Sequence, residues 1–181
     1  MDILEFPDAA VWEAWLDVNH AEQTEAWLRI RKRHADLALV TISEAAEGAF
    51  CFGWIDGQRR AYDDGSFLQR YSPRRKRSPW SQVNVEKVES LIAAGRMRPS
   101  GLAEVEAAKA DGRWDAAYEP QRTADVPADL AEALAGSARA RGAFESMGRS
   151  ERYAVILPLL KARTPELRQK ALAREIARLE A

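Results

Sequence analysis

Apolar residues recur at helical spacing near the start of the chain and throughout its second half, and they alternate with polar residues in between. Val11, Trp12, Trp15 and Leu16 make one face of a helix that Asp8 can cap and that should run to about Asn19. The segment AWLRIRK then alternates apolar and basic positions, which predicts a strand over 26–32 with Leu28 and Ile30 on one face and Arg29 and Arg31 on the other. Thr41 or Ser43 caps a short helix through Ala49, bringing Ile42, Ala45, Ala46 and Ala49 to the sheet.

The stretch 50–84, FCFGWIDGQRRAYDDGSFLQRYSPRRKRSPWSQVN, predicts a β-meander. Phe50, Phe52 and Trp54 alternate with Cys51, Gly53 and Ile55, and Asp56-Gly57 is a hairpin signal because both central positions of a type I′ turn need positive φ. A return strand over 58–62, a second turn at Asp63-Asp64-Gly65 and a third strand over 67–72 complete it. Gly53 inside a strand marks a bulge or a close approach.

From Asn84 onward the pattern is helical. Asn84 caps a helix with Val85, Val88, Leu91 and Ile92 on one face, and Ser100 caps another with Leu102, Val105 and Ala108; Gly95 and Gly112 end them. A connection over 113–127 leads to helices near 128–134, 138–147, 151–162 and 165–179, the third kinked or broken at Pro158. The fold class is α+β: a small antiparallel β-meander packed with helices over 1–120, then an α-helical C-terminal region over 121–181.

Composition narrows the classes. With 181 residues, 46% of them hydrophobic, the chain can bury a real core. Its longest apolar runs fall far short of the roughly 20 residues a membrane span needs, and no basic-then-apolar leader precedes Asp8, so no membrane insertion and a cytoplasmic location are expected. The lone Cys51 excludes an internal disulfide and reads as a buried small residue. His20 and His34 lack a metal-binding pattern, and no phosphate-binding glycine loop or nucleophile elbow is present, so no cofactor, metal or catalytic residue is assigned.

Charge is uneven. Residues 1–64 hold 13 acids and 6 bases, net −7, whereas 65–121 and 122–181 are each net +3. Residues 65–85 contain no acid and five bases. In SPRRKRSPW each proline restricts the residue before it, so Ser72 and Ser78 are extended and the loop is partly preorganised. Guanidinium groups held this way suit bidentate contacts with phosphate or carboxylate, and Trp80 can stack on a ring or on an arginine. The same loop could instead pin itself to an acidic face or remain a solvated surface. In KADGRW, Lys109 and Arg113 fit the negative end of a helix dipole, with a functional reading if Trp114 packs beside Trp80.

Four motifs in order, FCFGWIDG, YSPRRKRSPWSQVN, GRMRPSGLAEVEAAKADGRWDAAY and KARTPELRQKAL, resemble the YdeI/OmpD-associated family, also called the bacteriocin-protection family. The resemblance spans nearly the whole chain. It implies a bacterial, cytoplasmic α+β protein with a helical C-terminal region, and no particular reaction. Two departures are Gln82, where a basic residue is common, and TPELR in place of an Arg-rich TRxxR start to the last helix.

The expected function is a non-enzymatic, stress-associated binding protein. Arg74, Arg75, Lys76, Trp80 and Asn84, backed by Trp54 and Asp56, form a site for an anionic small molecule or a protein partner. One alternative is a nucleic-acid-binding module, which requires the basic loop to be continuous with Arg96, Arg98 or the C-terminal helices. Another is a frataxin-like metal (iron) chaperone using the acidic N-terminal third, which rests on fold class and on no residue motif.

Overall fold

The computed structural model describes residues 2–181. These form two compact units, one of residues up to Trp80 with Asn84–Ala116, the other of Ser81–Val83 with Ala117–Ala181. The first unit opens with β1 (Ile3–Leu4) and helix α1 (Ala9–Asn19). Asp8 caps α1 by accepting from the Val11 amide, and Trp12 and Leu16 are its buried face, as the spacing predicts. Next come β2 (Ala26–Arg31), α2 (Ile42–Cys51), β3 (Trp54–Ala61) and β4 (Ser66–Pro73). The sheet order is β1-β2-β4-β3, with β1 parallel to β2 and the other pairs antiparallel.

Register decides what each sheet face carries. Ala26 pairs with Tyr71, Leu28 with Gln69 and Ile30 with Phe67, so these six share one face. Helix α1 covers it: Trp12 packs 5.9 Å from Tyr71 between ring centroids. Arg29 and Arg31 lie on the other face with Trp27, Leu68 and Arg70.

The stretch 50–53 is the end of a helix and not a strand. A capping box between Thr41 and Glu44 starts α2, and buried Ala45, Gly48 and Ala49 carry it on through Phe50 and Cys51. Ile42 lies exposed at its start. What holds this helix is non-local: Trp12 Nε1 donates to the Ala45 carbonyl at 3.0 Å, and a Cβ on Gly48 would lie 2.7 Å from Trp12 Cδ1. Gly53 then reverses the chain at φ 77° and closely approaches Ser100, whose carbonyl oxygen would lie 3.0 Å from an added Cβ.

The Asp56-Gly57 hairpin turn is likewise replaced by a bulge within β3, between Asp56 and Arg59. Buried Gln69 reaches across from β4 and donates to the carbonyls of Gly57 and Gln58 at 3.1 and 3.2 Å. The chain reverses only after β3, where the Asp63 carboxylate accepts from the Gly65 and Ser66 amides. The third strand of the antiparallel set is therefore β2, paired with β4.

Helices α3 (Gln82–Ala93) and α4 (Pro99–Ala110) follow. The first starts two residues before Asn84, and Pro99 rather than Ser100 opens the second, consistent with the first-turn preference of proline. In the second unit, α5 (Ala128–Ala135), α6 (Ala138–Ser146), α7 (Arg149–Leu160) and α8 (Pro165–Glu180) enclose Leu130, Leu134, Phe144, Val155, Ile156 and Leu159. Pro158 falls in the last turn of α7, which runs on to Leu160. Asp129 holds Arg168 through two hydrogen bonds, 2.7 and 2.9 Å, and that pairing lowers the Asp129 pKa.

Candidate functional site

The basic loop leaves β4 at Pro73 and closes on itself before Trp80. Ser78 N donates to the Arg75 carbonyl at 2.9 Å, and the Arg75 amide donates to Ser78 Oγ. The four adjacent cations then divide. Arg74 is buried; Arg75, Lys76 and Arg77 are exposed.

Arg74 is turned inward. Its amide donates to the Gly53 carbonyl at 3.0 Å, Nη1 donates to the Pro79 carbonyl, and the guanidinium carbon stands 3.6 Å from the centroid of the Trp80 ring. Trp80 is itself buried and meets Trp114 at 4.8 Å between centroids, with Lys109 Nζ 5.6 Å from the Trp114 ring. Arg74 and the two indoles are buried together as a desolvated packing unit, and Lys109 adds an exposed cation at its outer end. Trp80 is thus shared between Arg74 and Trp114.

A second strut comes from Arg113, whose side chain is 1% exposed. Its Nη1 donates to the Ser78 carbonyl at 3.1 Å, while Nε is held by the Asp111 carboxylate at 2.7 Å. The helix-dipole reading of Arg113 gives way to this contact with the basic loop. Nothing local in KADGRW signals it, since the acceptor lies 35 residues earlier.

The remaining expected site residues are Trp54, Asp56 and Asn84. Trp54 is buried against Trp15 and donates from Nε1 to the His20 carbonyl. Asp56 is exposed at the β3 bulge, opposite Tyr71. Asn84 is half-buried in the first turns of α3. The chain thus brings together Arg74, Trp80, Arg113 and Trp114 beneath Arg75, Lys76 and Arg77.

Three further arginines of the first unit are matched by carboxylates. Arg96 spans Glu13 and Glu47 at 2.7 and 3.0 Å. Arg29 binds Glu5 and Asp63, and Arg70 binds Glu25. Thus Glu5, Glu13, Glu25, Glu47 and Asp63 of the acidic N-terminal third are engaged with arginines of the same unit. Cys51 is buried, which pushes its thiol up to about 11. Among the described residues, no group of three or more His, Cys, Asp or Glu is placed to hold a metal ion.

Comparison with known families bears on both units. The model of a domain of unknown function (DUF8412) matches residues 4–104, more than half of the chain, and the model described as bacteriocin-protection, YdeI or OmpD-associated matches residues 123–181. The chain belongs to the DUF8412 family, and its C-terminal segment is similar to the bacteriocin-protection, YdeI or OmpD-associated family. The YdeI/OmpD-associated match falls on the four-helix segment that contains KARTPELRQKAL. The basic loop, in contrast, lies within the DUF8412 match. No curated protein and no solved structure matches the chain.

Proposed function

We propose that the protein is a non-enzymatic binding protein of the bacterial cytoplasm that captures an anionic group, on a small molecule or a protein partner, with Arg75, Lys76 and Arg77. One observation carries this reading. The three side chains are exposed and form no ion pair among the described residues, on a loop held from beneath by Arg74 and Arg113. Uncompensated cations on a fixed backbone attract anions and lose little entropy in binding them. Arg74 and Trp80 serve as support and do not contact the ligand.

The alternatives find less support. A nucleic-acid surface would extend the loop through Arg96, whose charge is spent on Glu13 and Glu47. An iron chaperone would draw on acids of the N-terminal third, of which Glu5, Glu13, Glu25, Glu47 and Asp63 are already paired with arginine. A role in bacteriocin protection fits the description of the family model matched over residues 123–181.

The test is a thermal-shift series with ATP, citrate and a polyglutamate peptide on the full chain and on the Arg75→Ala/Lys76→Ala/Arg77→Ala variant. Stabilisation by at least one anion, lost in a variant that melts like the parent without ligand, is the expected result. Equal shifts in both proteins, or none in either, would overturn the proposal.

A further inference from the structure

A second cluster of arginines lies in the helical unit, away from the basic loop in sequence and independent of the proposal made for it. An open cleft of about 530 Å³ lies between the connection 121–126 and helix α7. Arg122, Arg149 and Arg152 line it, against Asp125 as the one acid in the lining. Val126, Met147 and Ile156 give it an apolar side.

The way Arg149 and Arg152 are held differs from that of the arginines paired with carboxylates. Arg149 Nη2 donates to the main-chain carbonyls of Gln121 and Arg122, at 3.4 and 2.8 Å. Arg152 donates from Nε to the Phe144 carbonyl at 3.1 Å and from Nη2 to the Glu145 carbonyl. Carbonyls fix the position of a guanidinium and leave its formal charge in place, whereas a carboxylate cancels it. Elsewhere in the same unit, Arg168 is cancelled by Asp129, and Arg174 and Arg178 share Glu175. Tyr153, also in the lining, donates its hydroxyl to the Glu119 carbonyl and so helps hold the connection against α7.

Positioned cations beside an apolar wall select for a ligand that has both characters. The volume falls within the range of roughly 300–1,000 Å³ typical of small-molecule sites. We infer that this cleft binds a small organic anion, a carboxylate or phosphate carried on an apolar body, with Arg149 and Arg152 holding the anionic head and Val126, Met147 and Ile156 meeting the body. Arg149 Nε and Nη1 and Arg152 Nη1 remain to serve the head, since the carbonyls occupy the other donors.

The experiment is calorimetric titration of the full chain with phenyl phosphate, benzoate, inorganic phosphate and neutral benzyl alcohol. Two single variants accompany it. Arg149→Gln removes a head contact; Val126→Glu places a like charge at the exposed rim without touching an arginine. Phenyl phosphate or benzoate should bind, and either variant should weaken binding by about tenfold or more, the scale of one lost charge-assisted contact. Inorganic phosphate and benzyl alcohol should each bind more weakly than phenyl phosphate. The triple substitution at 75–77 should leave these affinities unchanged, which separates this cleft from the loop. Absence of binding by both aromatic anions, or equal affinity in Val126→Glu, would overturn the assignment. Inorganic phosphate binding as tightly as phenyl phosphate would overturn the part played by the apolar wall.

Discussion

The guanidinium carbon of Arg74 stands 3.6 Å from the centroid of the Trp80 ring, and both side chains are buried. A desolvated cation–π contact of this kind is worth about 2 kcal/mol, and the Arg74 side chain adds a hydrogen bond to the Pro79 carbonyl. Arg74→Ala should therefore lower stability by roughly 2–4 kcal/mol in urea denaturation. Arg77→Ala, three residues away and exposed, should change it by no more than about 0.5 kcal/mol. Equal effects at the two positions would contradict the division of the loop into inner and outer cations.

Gln69 is the interior support of the β3 bulge. Its amide donates to Gly57 and Gln58, and its Oε1 accepts from Arg59 Nε at 3.0 Å. Gln69→Leu preserves bulk but strips these partners, so a loss of about 2–3 kcal/mol is expected. Hydrogen exchange should accelerate first over residues 57–61.

Gly101 leaves no room for a side chain, because an added Cβ would lie 2.2 Å from the Cys51 carbonyl oxygen. Backbone cannot yield as a flexible side chain does. Gly101→Ala should cost about 3 kcal/mol or more, by thermal or chemical unfolding. Gly142→Ala, where nothing lies within 4 Å, should be neutral or slightly stabilising.

Asp129 supplies a pH dependence. Hydrogen bonding and charge from Arg168 hold its carboxyl below the ordinary value of 3.8 in the folded chain. The unfolded state then binds the proton more readily, so the stabilisation is complete above that value and is lost as pH falls through the lower folded one. Asp129→Asn should flatten the stability profile below about pH 4 and leave its slope near neutrality unchanged.

Cys51 is shielded by the end of α2, and its thiol is pushed up to about 11 by burial. Alkylation at pH 8 should be slow in the native protein and become fast in urea, following unfolding. Rapid native labelling would contradict the packing of the α2 terminus.

Where local signals suffice, the sequence states the fold. Asp8, Thr41 and Thr164 cap helices with their own side chains, and the four C-terminal helices fall within a few residues of the positions their punctuation predicts. The stretch 50–57 is different, because both of its features depend on distant residues. Alternation in FCFGW is indistinguishable from a strand until Trp12 is seen to draw Gly48 and Ala45 close. Likewise, Asp56-Gly57 reads as a turn until Gln69 is seen to fill the bulge. The same limit applies to the basic loop. Four consecutive cations look alike in sequence, and only the position of Trp80, backed by a tryptophan 34 residues onward, selects Arg74 as the inner one. The cleft arginines carry no local signal, since their distinguishing partners are main-chain carbonyls.

The inner struts also separate the shape of the basic loop from its chemistry. Arg74 and Arg113 engage the main chain at Pro79 and Ser78, on the far side of the three exposed positions. Residues 75–77 can accordingly be rewritten with little penalty to the fold. That makes the segment a cassette: a different tripeptide inserted there would be displayed on the same scaffold, and relatives could diverge in what they recognise while keeping one architecture.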